Sequence, residues 1–287
     1  MESNKKIRIF DGATAIITGA ASGIGRALAE ELAKRGCEVV LADLQIELAK
    51  EVASAIRATG GKARAFLLDV AVFSAVESLL QDTVQRTGRL DYMFNNAGIG
   101  FLGDFNLYSI EDWDRIIDVN LRGVVNGVQV AYKIMLSQGF GHIVNTASIG
   151  GLIPIANEAP YSTTKHAVVG LSNSLRAEAA LTGIQVSVLC PGVIRTPILG
   201  GGKYGKIVID ISPEQLSDFL EKFRPMSPNL FAKKVLKSVA KNKAIIIVPS
   251  WWKLLWWINR LSPSFGIFLA QKHFQYRQKK FAMVQKN

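Results

Sequence analysis

Along the first 250 residues, short β-branched apolar runs alternate with longer stretches whose apolar positions recur every three or four residues. The short runs are Ala13 to Thr18, Glu38 to Ala42, Ala63 to Leu68, Leu90 to Phe94, His142 to Ser148, Gln185 to Leu189 and Ala244 to Val248. Each has the length of a strand, and several are apolar at successive positions, as strands covered on both faces must be. Between them, Arg26 to Arg35, Ala49 to Thr59, Phe73 to Arg86, Ala159 to Ala180 and Asn229 to Ala240 carry helical spacing. A further helix begins at Ser109-Ile-Glu-Asp112, with an acidic first turn, and carries an apolar face from Trp113 to Val128 that Asn120 interrupts. The alternation predicts one α/β domain, a doubly wound and mostly parallel seven-stranded sheet with helices on both faces and ligands at the carboxyl ends of its strands.

Composition adds a boundary. The chain of 287 residues carries a net charge of +11, but residues 222 to 287 hold 14 Lys and Arg and no Asp or Glu. Residues 1 to 221 hold the other 20 basic residues against all 23 acidic ones, so the whole positive excess lies in the last quarter. Four of the five tryptophans stand in Trp251-Trp-Lys-Leu-Leu-Trp-Trp257, and Lys272, Arg277, Lys279, Lys280 and Lys286 follow. We therefore divide the chain into a domain over residues 1–250 and an apolar, basic helical extension over 251–287. As a helix the tryptophan segment is apolar nearly all round, a surface that will not stand bare in water. It packs on its own domain or a second subunit over the substrate cleft, lies at a membrane surface with its lysines toward anionic lipid, or stacks on nucleic acid. The last is disfavoured, since no nucleic-acid module accompanies the charge.

No run of eighteen apolar residues suggests a spanning helix, and Met1 to Phe10 lacks the apolar core of a signal peptide. Cys37 and Cys190 match no metal or redox spacing, and the three histidines form no ligand cluster. The expectation is a cytoplasmic protein without a metal site, peripheral at a membrane if the tail docks there.

The chemistry sits at the predicted strand ends. The first strand runs into Gly19-Ala-Ala-Ser22-Gly23-Ile24-Gly25 and then a helix, an order that cradles a diphosphate. The second ends at Asp43, whose carboxylate can accept hydrogen bonds from both ribose hydroxyls of NAD and would repel the extra phosphate of NADP; an ordinary helix-capping Asp is the alternative. Tyr161 and Lys165, four apart on a helix, project side by side. A tyrosine is a poor base at neutral pH, and a neighbouring ammonium favours its phenolate. Ser148, at a strand end thirteen residues before Tyr161, offers a hydroxyl to a carbonyl or alcohol oxygen.

The Thr-Gly-x-x-x-Gly-x-Gly loop, Asn95-Asn-Ala-Gly98, and the set Asn120, Ser148, Tyr161 and Lys165 together resemble the classical short-chain dehydrogenase/reductase family, and through it the Rossmann fold. The resemblance implies that Asp69 and Val70 meet the adenine and that Asn96, Ala97 and Gly98 line the adenosine side. It also implies that Pro191, Gly192, Val193 and Thr196 grip the nicotinamide carboxamide. Asn120 would hold a water connected to Lys165, where the residue alone reads equally as a structural asparagine. Lys165 would also bind the ribose. Ser22 and Leu44 stand where NADP-preferring relatives often place a basic residue, so NAD is favoured and NADP is the alternative. Residues 193–230 would form the substrate loop region, with a mobile lid from Leu199 to Arg224.

The function expected is hydride transfer between a secondary alcohol and a ketone, on a hydrophobic substrate suggested by Ile149 to Ala156 and the tail. No arginine can be assigned to a substrate phosphate or carboxylate, although Arg195 lies near enough to be a candidate. A homo-oligomer, dimer or tetramer, follows from the resemblance. The alternatives are a catalytically silent dinucleotide-binding sensor or scaffold, and a nucleotide-sugar epimerase or dehydratase, which the glycine spacing disfavours.

Overall fold

The computed structural model describes residues 6–208 and 212–284. Its centre is a seven-stranded sheet in the order β3-β2-β1-β4-β6-β7-β9, with every neighbouring pair parallel. The strands are β1 (Thr14–Thr18), β2 (Glu38–Asp43), β3 (Lys62–Leu67), β4 (Tyr92–Asn95), β6 (Gly141–Thr146), β7 (Ile184–Pro191) and β9 (Ile245–Val248). All seven coincide with the predicted runs to within a few residues. β1, β4 and β6 are buried along their whole length, and their centres, Ile16-Ile17, Met93-Phe94 and Ile143-Val144, are apolar at successive positions.

Helices cover both faces. On one side α1 (Gly23–Lys34), α2 (Ile46–Ala58) and α8 (Pro228–Val239) bury Leu28, Leu32, Ile56, Phe231 and Val235 against the sheet. On the other, α3 (Phe73–Thr87), α5 (Gly123–Gln138) and α6 (Ala159–Glu178) contribute Leu79, Val128, Ala131 and Val168. A fully buried leucine such as Leu32 is worth about 2–5 kcal/mol against alanine. This is the doubly wound Rossmann arrangement, with β1 and β4 flanking the switch point where the strand order reverses.

Three features depart from the expected pattern. The helix predicted from Ser109 onward is two helices, α4 (Ile110–Ile117) and α5, joined by a π-helical turn over Asp118–Arg122. Its start is as predicted: Ser109 and Asp112 form a reciprocal capping box. Second, β5 (Gly100–Leu102) and β8 (Gly205–Ile207) form a separate two-stranded parallel sheet above the main one. Third, the stretch read as a lid, Leu199 to Arg224, contains α7 (Pro213–Glu221), capped by Ser212 and Gln215. The C-terminal segment forms α9 (Trp252–Leu261) and α10 (Pro263–Val284). Side chains from Arg277 onward, including Lys279, Lys280 and Lys286 of the predicted cationic end, lie outside the described residues.

Candidate active site

The carboxyl ends of the central strands open on a cavity of about 690 Å³. Every predicted site residue lines it except Gly25 and Asn120, which stand one layer behind. Gly19, with φ +64°, turns the chain from β1 into the loop, and a β-carbon there would lie 2.8 Å from Ala97 Cα. At Gly25 it would lie 2.1 Å from the carbonyl oxygen of Gly19, so Gly25 seats α1 closely against the loop. Ser22 makes no side-chain cap on α1. The first N–H groups of that helix therefore remain for an anion.

Asp43 is buried, with Oδ2 accepting the Ala21 N–H and Oδ1 the Gln45 N–H, each at 2.9 Å. Its carboxylate thus braces the glycine loop and the approach to α2 while facing the cavity. Asp69 accepts the Ala71 N–H at 2.9 Å. The Thr18 hydroxyl accepts the N–H groups of Asn96 and Ala97, and the Asn96 amide donates to the Thr18 carbonyl, all at 3.0 Å. That clamp holds β1 and β4 together where a dinucleotide would cross between them. A loop with free N–H groups, a ribose-height carboxylate and glycines that leave room for a diphosphate fit a nicotinamide dinucleotide.

At the other end of the cavity Tyr161 and Ser148 stand together, Ser148 near enough to act on the tyrosine hydroxyl, while the Ser148 oxygen accepts the Gly150 N–H at 3.1 Å. Lys165 is buried, donates from Nζ to the Thr146 carbonyl at 3.1 Å, and lies 5.5 Å from the centre of the Tyr161 ring. Burial pushes the tyrosine pKa above its ordinary range; the Glu158 carboxylate adds to the rise and the Ser148 hydroxyl opposes it. Burial also pulls the lysine pKa down to about 8. The tyrosine shift runs opposite to the sequence expectation. The ammonium sits over the ring face and is committed to a strand carbonyl, so desolvation of the hydroxyl prevails.

Asn120 is buried on the π-helical turn. Its Oδ1 accepts the Ile99 N–H at 2.8 Å, and its Nδ2 donates to the Ile99 carbonyl at 2.9 Å and to Thr164 Oγ1 at 3.3 Å. The structural reading of this residue therefore holds in the geometry. It also stands near Lys165: a β-carbon at Gly98 would lie 3.2 Å from Asn120 Oδ1 and 3.3 Å from Lys165 Nζ.

The candidate Arg195 is turned away from the cavity. Its guanidinium is paired two-pronged with Glu221, one bond at 2.9 Å, and does not line the pocket. Several lining residues carried no local sequence signal. Tyr204 hydrogen-bonds Gln45 at 3.4 Å from 159 positions away, and Lys203 Nζ lies 5.2 Å from the Tyr204 ring centre, so a lysine stands near the Ser22 and Gln45 end. From the tail, Trp252, Leu255, Asn259 and His273 form a wall. Asn259 donates to the Leu152 carbonyl at 3.1 Å, and Trp252 is buried with its indole N–H unpartnered.

The profile of the short chain dehydrogenase family matches residues 13–203. Among curated proteins, cyclohexanol dehydrogenase of Acinetobacter sp. (strain SE19) is 42% identical over 193 residues, 66% of this chain and 76% of that protein. Levodione reductase of Leifsonia aquatica is 34% identical over 223 residues, 77% and 82% of the two chains. A short chain dehydrogenase/reductase from Burkholderia phymatum, solved in complex with NAD, superposes with a TM-score of 0.79 at 29% identity, over 90% of this chain and 96% of that one.

Proposed function

From the premise that the chain belongs to the short-chain dehydrogenase family, we propose an NAD-preferring oxidoreductase that interconverts a secondary alcohol and its ketone on an apolar substrate. The observation that carries this reading is the meeting of Tyr161 and Ser148 on the wall of a cavity that continues to the glycine loop. Two hydroxyls so placed can share one substrate oxygen, Ser148 holding it while Tyr161 moves the proton.

A bound nicotinamide dinucleotide supplies or accepts the hydride. Gly19, Ser22, Gly23 and Ile24 would take its diphosphate, Asp43 and Leu44 its adenosine ribose, and Asp69, Val70 and Asn96 to Gly98 its adenine side. Pro191, Gly192, Val193 and Thr196 would hold its carboxamide end. A tyrosine pushed up by burial is protonated at neutral pH, which suits it to donate a proton in ketone reduction. Lys165, with its pKa drawn down to about 8, then restores that proton within the buried site. Asp43 supports NAD, while Lys203 is a basic group near the adenosine end that favours NADP. Ile155, Leu216, Phe219 and the tail residues give the substrate end apolar walls. The names of two relatives, a cyclohexanol dehydrogenase and a levodione reductase, support alcohol and carbonyl chemistry.

The test follows the absorbance of reduced nicotinamide with a graded series of secondary alcohols and ketones, under NAD and NADP. Tyr161→Phe lowers turnover about 10²–10⁴-fold and leaves dinucleotide binding intact. Undiminished turnover in that variant places the proton donor elsewhere. Dinucleotide binding without turnover of any substrate would favour the silent sensor.

A further inference from the structure

The C-terminal helices have two apolar faces and the chain itself covers one. Trp252, Leu255, Ile258 and Asn259 of α9 and Ala270 and His273 of α10 turn inward and wall the cavity. The opposite side carries Trp251, Leu254, Trp257 and Leu261 at spacings of three and four, continued by Phe265 and Phe268 on α10. All six are exposed, Leu254 to 67% and Leu261 to 81%. Nine of the twenty exposed large hydrophobic side chains among the described residues fall between Trp251 and Tyr276. A patch this concentrated marks a binding surface.

Its surroundings define what covers it. Lys253, Arg260 and Lys272 are exposed along the same helices, with Arg260 stacked over Trp256 at 5.8 Å and Lys272 over Phe268 at 5.5 Å. No acidic residue occurs from Lys222 to Asn287. Two copies meeting through this face would set like charge against like charge, which opposes self-association. No described helix is long and apolar enough to cross a membrane, so the stripe would lie along a bilayer, not through it. Tryptophan rings with flanking basic side chains suit the headgroup layer of anionic lipid.

We propose that the outer face of α9 and the first half of α10 docks on an anionic lipid surface, holding the apolar cavity at the interface from which a lipid-soluble substrate would be drawn. The docking itself does not depend on the catalytic reading. The full chain is floated with vesicles of phosphatidylcholine alone and of phosphatidylcholine mixed with phosphatidylglycerol, at low and high salt. It co-floats with the mixed vesicles, and the bound fraction falls with neutral lipid or added salt. Lys253→Gln and Arg260→Gln each weaken partitioning about fivefold. Leu254→Ser with Trp257→Ser weakens it about tenfold or more. None of these four lines the cavity, so dinucleotide binding stays at the parent level and reports that the variants are folded. If the double serine variant unfolds, the two charge variants decide the matter. Failure to float with the mixed vesicles overturns the proposal, as does flotation that salt and the substitutions leave unchanged. A dimer that the serine variant dissociates, without flotation, assigns the face to a second copy and overturns it as well.

Discussion

The sharpest mechanical prediction concerns Gly192, where the end of β7 meets the C-terminal helices. A β-carbon there would lie 2.0 Å from Trp252 Nε1, 2.4 Å from Cδ1 and 2.9 Å from Cε2. The indole has little freedom to yield, being buried, stacked on Trp251 at 4.1 Å and facing Phe223 at 6.0 Å. Gly192→Ala must therefore move Trp252 by more than an ångström or bend the strand end, and overpacking of this kind costs about 1–3 kcal/mol. Trp252→Ala alone removes a buried aromatic, worth about 3–5 kcal/mol, with the lower figure expected because α9 lies at the edge of the fold and can relax. In the double variant the added methyl enters the space the indole has left. The two losses then fail to add, with a coupling of about 1–3 kcal/mol. Thermal unfolding of the four proteins reads this out at roughly 2–4 °C per kcal/mol. Losses that add to within about 0.5 kcal/mol would refute the clash and the contact inferred from it.

The burial of Lys165 predicts a pH limit on ketone reduction. With its pKa drawn down to about 8, the ammonium is present below that pH and lost above it. Its supply of protons to Tyr161 falls in the same sense, and a reduction rate still level at pH 10 would exclude this role. Asp43→Ala should shift the preference between NAD and NADP about tenfold toward NADP, equivalent to about 1.4 kcal/mol of relieved repulsion. Adding Lys203→Ala should reverse much of that shift. An unchanged ratio in initial-rate assays would remove Asp43 as the discriminator.

What the sequence made legible follows from where physical constraints are local. Strands buried on both faces carry apolar residues at successive positions, so the centres of β1, β4 and β6 stand out. The glycine loop is legible because its turn at Gly19 and its close approach at Gly25 each forbid a side chain. The π-helical turn at Asp118–Arg122 was not, since one extra residue within a helix barely disturbs the apolar spacing while it changes which face Asn120 presents. Strands of three residues, such as β5 and β8, carry no period at all. Lys203 and Tyr204 reach the Gln45 end across 159 positions, a proximity that only the folded chain creates. The upward shift of Tyr161 was missed for a related reason: adjacency to Lys165 could be read from the spacing, but the desolvation that outweighs it could not.

The tail shows the same limit and also its resolution. An all-round apolar helix announces that it needs cover without saying how much the chain itself provides, and here the inner face is spent on the cavity. Gly192 donates its N–H to the Val248 carbonyl at 2.9 Å, fixing β7 to β9, and presents its bare α-carbon to Trp252. The segment expected to face the nicotinamide is thus packed directly against α9, and α9 separates the cavity from the outer stripe by one helix thickness. A displacement of α9 by whatever binds that stripe must pass through Trp252 to Gly192. Occupancy of the outer face should therefore alter substrate KM before it alters turnover, because the wall moves while the Tyr161 and Ser148 hydroxyls, anchored on α6 and after β6, stay in place.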